Sequence, residues 1–149
     1  MKPLRFAAVP LLLTAALSGI ASAQTRTVEL VATDNLKFST SSIEARPGET
    51  LRIVVQASGQ MPKIAMAHNF VLLQPGTDPG SFANEGAMHR GSDFIAPGLA
   101  GRVISKTPMA GAGETTEVTL TAPGPGSYPF VCTFPGHALA GMTGTLVVQ

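Results

Sequence analysis

Glycine and proline set the upper limit on regular structure in this chain. Sixteen glycines and twelve prolines are spread over 149 residues, and beyond the first two dozen positions no segment sustains a helical period. Glycine frees φ, whereas proline fixes it and removes a backbone donor, so clusters of the two end elements and make turns. What survives between them is a series of short runs rich in β-branched and aromatic residues.

Those runs predict strands. Residues 27–32 alternate, Asp34 and Asn35 mark a bend, and residues 36–45 read as the next strand. Arg46-Pro47-Gly48-Glu49 is a turn, because proline presets φ at its second position and glycine tolerates the conformation required at the third. Residues 51–56 are mostly apolar and are expected to form a central strand. An apolar strand carrying His68 and Asn69 is expected over 66–73, a short one over 102–105, and an alternating one over 114–121 with Val118 and Leu120 facing in. Residues 127–132 and 144–148 complete the set. Between positions 74 and 101 glycine and proline recur too often for long elements. That segment reads as an irregular insertion over one face of the sheet, with a short helix near 81–89 capped by Ser81. About eight short strands at this spacing predict an all-β fold, an antiparallel β-sandwich. No internal repeat or low-complexity linker appears, so one domain suffices.

The start of the chain reads as an export signal. Lys2 and Arg5 form a basic start, residues 6–20 are apolar but broken by Pro10 and Gly19, and Ala21-Ser22-Ala23 is a small-residue cleavage site. The apolar stretch is short of the roughly 20 residues that a membrane span needs. No cysteine directly follows it to carry a lipid. The expected organisation is a signal peptide at 1–23 and one domain at 24–149, delivered to the periplasm without a membrane anchor. Without the leader, eight basic residues face nine acidic ones, which gives no electrostatic case for nucleic acid or an anionic membrane surface.

Cysteine usage narrows the chemistry. The chain has one cysteine, Cys132, so no internal disulfide can form. A free thiol in an exported protein is open to oxidation, and metal ligation supplies a reason to keep one. Cys132, His137 and Met142 fall in a single turn-rich loop, with four residues in each of the two intervals. Thiolate, imidazole and thioether together are soft donors suited to copper. A strand-loop-strand element cannot surround an ion alone, so a second imidazole has to come from a neighbouring strand, and His68 is the candidate. Taken singly, each of these residues has a bland explanation: buried cysteine as a small hydrophobe, methionine as a gap filler, histidine as a satisfied core residue. Together they are harder to explain that way. His89, beside Arg90 in the irregular segment, is read as a surface residue.

Met66-Ala67-His68-Asn69-Phe70-Val71-Leu72 and Cys132-Thr133-Phe134-Pro135-Gly136-His137 resemble the two ligand segments of azurin-like and auracyanin-like cupredoxins, the plastocyanin/azurin family of blue copper proteins. The resemblance runs over nearly the whole of 24–149. The four residues between His137 and Met142 are the auracyanin-like spacing, one more than in azurin. The resemblance implies a Greek-key β-sandwich and one type 1 copper ion, with Cys132, His68 and His137 in a trigonal plane and Met142 as a long axial ligand. It also implies that backbone N–H groups of Asn69 and Phe134 donate to the Cys132 sulfur, and that the Asn69 side chain braces the ligand loop. The carbonyl of Ala67 stands where azurin has a glycine carbonyl on the other axial side. Phe70 replaces a buried tryptophan.

The implied activity is electron transport without catalysis. His137 would be the electron port, ringed by Pro135, Gly136, Ala138, Leu139, Ala140 and Met66. This apolar patch is expected to dock redox proteins such as c-type cytochromes or a haem- or copper-containing reductase. A copper oxidase or nitrite reductase would need further histidine-rich centres, and only His89 is left over. Copper storage or delivery remains open on the ligands alone, as does a metal-free sandwich. Zinc is disfavoured, since structural zinc sites rarely use methionine.

Overall fold

The structure is a computed structural model that describes residues 24–149; the expected export signal at 1–23 lies outside the described residues. Two sheets face each other. The first holds β1 (Arg26–Thr33), β2 (Lys37–Phe38), β4 (Thr50–Ser58) and β7 (Thr115–Thr121), in the order β2-β1-β4-β7. The second holds β3 (Ser42–Ala45), β5 (Val71–Leu73), β6 (Val103–Lys106), β8 (Gly126–Val131) and β9 (Thr143–Val148), in the order β3-β9-β8-β5-β6. The all-β sandwich expected from the sequence is the observed fold.

The sheets are mixed rather than antiparallel throughout. β1 runs parallel to β4, with Leu30 opposite Val55, and β3 runs parallel to β9, with Ile43 opposite Leu146. Both parallel pairings follow from one break. The single strand expected over 36–45 is two strands in different sheets, because the chain changes sheets at Ser39, Thr40 and Ser41. Ser39 keeps one end on β1, its N–H donating to the Val31 carbonyl at 2.8 Å and its Oγ accepting from Val31 N at 3.0 Å. Thr40 Oγ1 then accepts from Ser42 N at 3.3 Å. Hydroxyls that bond nearby backbone in this way compete with ladder formation.

β4 is central as expected, lying between β1 and β7. The inward residues of both sheets form one core, including Leu30, Ile53, Val55, Phe70, Leu72, Phe130 and Leu146. Phe130 organises its middle, packing on Phe70 at 5.1 Å and edge-on against Phe38 at 5.6 Å between ring centroids. Leu120 is buried, and Val118 is half-buried against the same cluster. Cys132 and Met142 belong to this core as well, so the candidate ligands sit at one end of a packed interior.

The insertion covers the outer face of the second sheet. Its helix α1 (Pro79–Gly86) starts earlier than expected and is capped by Asp78, not Ser81. Asp78 Oδ1 accepts from Ser81 N at 2.7 Å, and Pro79 occupies the first turn where its missing donor costs nothing. Phe82 and Ala83 of α1 and Ile95 beyond it pack on Val71, Leu73 and Val131. Because side chains alternate along a strand, Val71 and Leu73 point outward to this layer while Leu72 points into the sandwich.

Candidate metal centre

The strand expected over 66–73 is shorter than its apolar pattern suggested, and that shortening builds the site. Residues 62–66 form a turn, with Ala65 and Met66 N–H both donating to the Pro62 carbonyl. His68 then makes an isolated bridge to Ala110, each N–H donating to the other's carbonyl at 2.8 Å. Thr107 takes up the next donor, its Oγ1 accepting from Phe70 N at 3.0 Å. Regular pairing resumes only at Val71. His68 is thus held by a two-bond clasp rather than by a ladder, with its ring directed inward and 2% exposed.

The second segment begins where β8 ends. Cys132 N–H donates to the Met142 carbonyl at 3.1 Å, and Met142 N–H donates to the His137 carbonyl at 2.9 Å. These bonds close the loop on itself, bringing the backbone of Met142 back to Cys132 and His137. The candidate donor atoms of His68, Cys132 and His137 all lie within 4.8 Å of one another. Cys132 Sγ is 3.4 Å from His137 Nδ1, and the two imidazole rings are 5.0 Å apart. The Ala67 carbonyl lies 3.9 Å from the same sulfur. None of His68, Cys132, His137 and Met142 is more than 3% exposed.

Asn69 joins the two segments. Its Oδ1 accepts from Thr133 N at 2.9 Å, and its Nδ2 donates to Thr133 Oγ1 at 2.9 Å. The Thr133 hydroxyl in turn donates to the Asp93 carbonyl at 2.6 Å. Phe94 comes next in the chain, packing edge-on against Phe134 at 5.3 Å, and Phe134 lies 4.8 Å from the His137 ring. The insertion therefore reaches the ligand loop through this hydrogen bond and this aromatic contact, and through Ala138, which packs in the cluster with Phe82, Ala83 and Ile95. Asp93 and Phe94 hold φ values of +54° and +56°, unusual for residues with side chains and rarer still for a bulky one. An ion pair between Asp93 and Lys106, and the bond from Phe94 N to the His89 carbonyl at 2.9 Å, keep them there. Thr133, Asp93 and Phe94 were not singled out by the sequence. A polar residue flanked by Cys132 and Phe134 was a signal for Thr133, but nothing local marked the other two.

The electrostatics fit a metal. Both ring nitrogens of His68 are buried without a hydrogen-bond partner among the described residues, which is costly for a polar group, and a metal would take up the lone pair of the unprotonated one. Burial pushes the His137 pKa down to about 4, with the neighbouring His68 adding to the shift, and burial also lowers that of His68. Neutral imidazoles are the form that binds metals. Burial pushes the Cys132 thiol up to about 11, against the backbone N–H groups of Asn69 and Phe134, which donate to the sulfur and favour its anion. Two neutral imidazoles and a thiol provided with anion-stabilising donors form a set suited to copper.

His89 is exposed beyond α1, as expected. The apolar surface differs in detail from the expected patch. Pro135, Gly136, Leu139 and Ala140 are exposed, Met66 is half-buried, but Ala138 turns inward to the cluster under the insertion. The His137 ring lies beneath this surface at 3% exposure.

A two-sheet sandwich in which two histidines and a cysteine converge at one end, with a buried methionine closing the same loop, defines a cupredoxin with a type 1 copper site. Comparison with known proteins agrees. The family model described as "Copper binding proteins, plastocyanin/azurin family" matches residues 25–149. Auracyanin-B of Chloroflexus aurantiacus is 35% identical over 125 residues, covering 83% of this chain and 52% of that protein. The chain thus spans about half the length of that relative. Azurin iso-2 of Methylomonas sp. is 38% identical over 123 residues, covering 78% of this chain and 92% of the other. Among solved structures, auracyanin A of the same Chloroflexus species superposes with a TM-score of 0.73 at 29% identity, covering 85% of this chain and all of that one. The chain belongs to the plastocyanin/azurin family of copper-binding proteins.

Proposed function

We propose that this chain is a periplasmic one-electron carrier, exported by a signal peptide at 1–23 and acting through residues 24–149. His68, Cys132, His137 and Met142 are its copper ligands. The observation that carries the reading is the buried cluster in which one donor atom each of His68, Cys132 and His137 lies within 4.8 Å of the others, the His68 ring nitrogens having no hydrogen-bond partner among the described residues. Bound copper supplies a one-electron couple between Cu(I) and Cu(II).

The protein's part is to keep the donors still. The His68 clasp with Ala110, the Asn69–Thr133 pair and the backbone bonds linking Cys132, His137 and Met142 hold the two segments that carry all four. A soft, buried donor set held in this way resists relaxing toward the tetragonal preference of Cu(II), so both oxidation states share one cage. Surrounding core residues exclude water. The Cys132 sulfur must lose its proton to serve as a ligand, and the N–H groups of Asn69 and Phe134 stabilise the resulting charge. Donors buried to this degree suit electron transfer, which supports a carrier rather than an enzyme.

Docking is assigned to the face above His137. Leu139 is 74% exposed there, beside exposed Pro135, Gly136 and Ala140, none of them charged, with the Lys37 ammonium at the margin on the Ala140 carbonyl. Small apolar patches suit brief redox encounters, with a c-type cytochrome or a haem- or copper-containing reductase as the partner.

The test is to add Cu(II) to the purified 24–149 protein and record its visible spectrum. An intense thiolate-to-copper band that is absent in Cys132→Ala is expected, and a colourless product would sink the proposal. Repeated reduction and oxidation should leave the copper in place. Loss of copper on each cycle would instead favour a storage or delivery role.

A further inference from the structure

The turn between His137 and Met142 is closed by its own backbone. Gly141 N–H donates to the Ala138 carbonyl and Met142 N–H to the His137 carbonyl, both at 2.9 Å. Gly141 itself sits at φ +89°. A five-to-two and a six-to-one bond around a left-handed glycine make a Schellman motif, a common way for a helical turn to end. Its first residue is His137 and its last is Met142. The four-residue interval has a physical reason here: it is the count that the six-to-one bond encloses.

Such a turn leaves its last carbonyls without partners in the chain that forms it. One of them is Ala140. Lys37, 103 residues earlier and in the opposite sheet, donates from Nζ to the Ala140 carbonyl at 2.6 Å. A Cβ on Gly141 would lie 2.6 Å from the same Nζ, so the ammonium occupies space that the glycine leaves open. The strand beneath the lysine is anchored: Lys37 pairs with Thr33 of β1, and its neighbour Phe38 packs edge-on against Phe130. Among the described residues Lys37 takes part in no ion pair, which leaves its charge directed at the loop. A cation at the C-terminal end of a helical turn also complements the partial negative charge there.

We propose that Lys37 is a positioning residue for Met142. It latches the Schellman turn to the opposite sheet and thereby fixes where the thioether stands relative to the other three donors. The inference rests on the copper reading in that Met142 is taken as a ligand, but the latch itself exists without metal.

Lys37→Met removes the ammonium and keeps the stem, and Lys37→Arg restores a donor of the same charge. In Lys37→Met the Met142 amide should exchange with deuterium at least about tenfold faster, the scale of losing one charge-assisted hydrogen bond, in metal-free and copper-loaded protein alike. The reduction potential and the visible band should shift, and Lys37→Arg should return all three readouts toward wild type. Gly141→Ala attacks the same turn from the other side and should show the same signature. Unchanged amide exchange in Lys37→Met would overturn the latch. A potential shift that vanishes at high salt, with exchange unaltered, would show a remote charge effect only and overturn it equally. A wild-type protein without the thiolate-to-copper band would sink the copper reading instead, while amide exchange in the metal-free protein would still decide the role of Lys37.

Discussion

Asn69 and Thr133, 64 residues apart, bond each other with both ends of the amide: Oδ1 accepts from the Thr133 N–H and Nδ2 donates to its hydroxyl, each at 2.9 Å. Both residues are fully buried. The pair ties the segment that carries His68 to the loop that carries Cys132, His137 and Met142, and the hydroxyl's own proton goes on to the Asp93 carbonyl.

Asn69→Ala should therefore cost stability before it costs chemistry. It strands the Thr133 N–H in a dry interior, a loss on the order of 1–3 kcal/mol. Urea unfolding of the metal-free protein measures it. A midpoint equal to that of wild type would mean that the two segments are held by packing alone.

Gly86→Ala tests how the insertion is held. A Cβ there would lie 2.0 Å from the Phe94 backbone carbonyl oxygen, which cannot swing aside as a flexible side chain would, so the backbone at Phe94 must shift. The expected cost is at least about 2 kcal/mol, read as a lower Tm, with a shifted copper spectrum if Phe94 moves. Gly91→Ala, where a Cβ meets nothing within 4 Å, serves as the control and should stay within about 0.5 kcal/mol of wild type.

The metal-free protein should have a window of maximal stability. His137 titrates near 6.5 when unfolded and near 4 when folded, so the unfolded state binds the extra proton and stability falls as the pH drops from about 6.5 toward 4. His68, lowered in the same direction, adds to this. Cys132 works from the other side: its thiol is raised from 9.0 to about 11, and stability is lost as the pH rises through that interval. Thermal unfolding across the pH range should show a plateau between about 6.5 and 9. Copper should flatten the acid side, because a bound metal holds both imidazoles in the neutral form. Equal acid sensitivity with and without copper would argue against the two histidines as ligands.

Leu139→Glu places a charge at the centre of the exposed surface above His137. Electron exchange with a c-type cytochrome should slow by roughly tenfold or more, as desolvating a carboxylate in an apolar contact is unfavourable, while the visible spectrum stays unchanged. An unaltered exchange rate in stopped-flow mixing would move the docking site elsewhere.

Much of the site was legible in the sequence because its donors declare themselves chemically. A lone cysteine with His137 and Met142 at short, regular intervals has few explanations other than a soft metal site, and His68-Asn69 in an apolar run supplied the missing imidazole. The β class was legible for a similar reason: glycine, proline and two-residue periodicity act locally, and their consequences do not depend on distant partners. Boundaries were less so. The run over 66–73 has the composition of a strand, yet His68 is clasped by Ala110 and Phe70 by Thr107, partners that no local pattern reveals. Ser81 resembled a cap, but Asp78 lay one residue before Pro79, where the helix could start without losing a donor.

By itself, then, the sequence determined which atoms could hold an ion and that short strands would present them. Tertiary structure decided which of those strands pair in parallel, where 36–45 breaks to change sheets, and that the insertion reaches the ligand loop through Asp93 and Phe94. It also brought Lys37 to the Ala140 carbonyl. Local preferences are fixed by a few neighbouring residues, whereas contacts spanning 40, 64 or 103 positions exist only once sheet register and sandwich packing have brought those positions together.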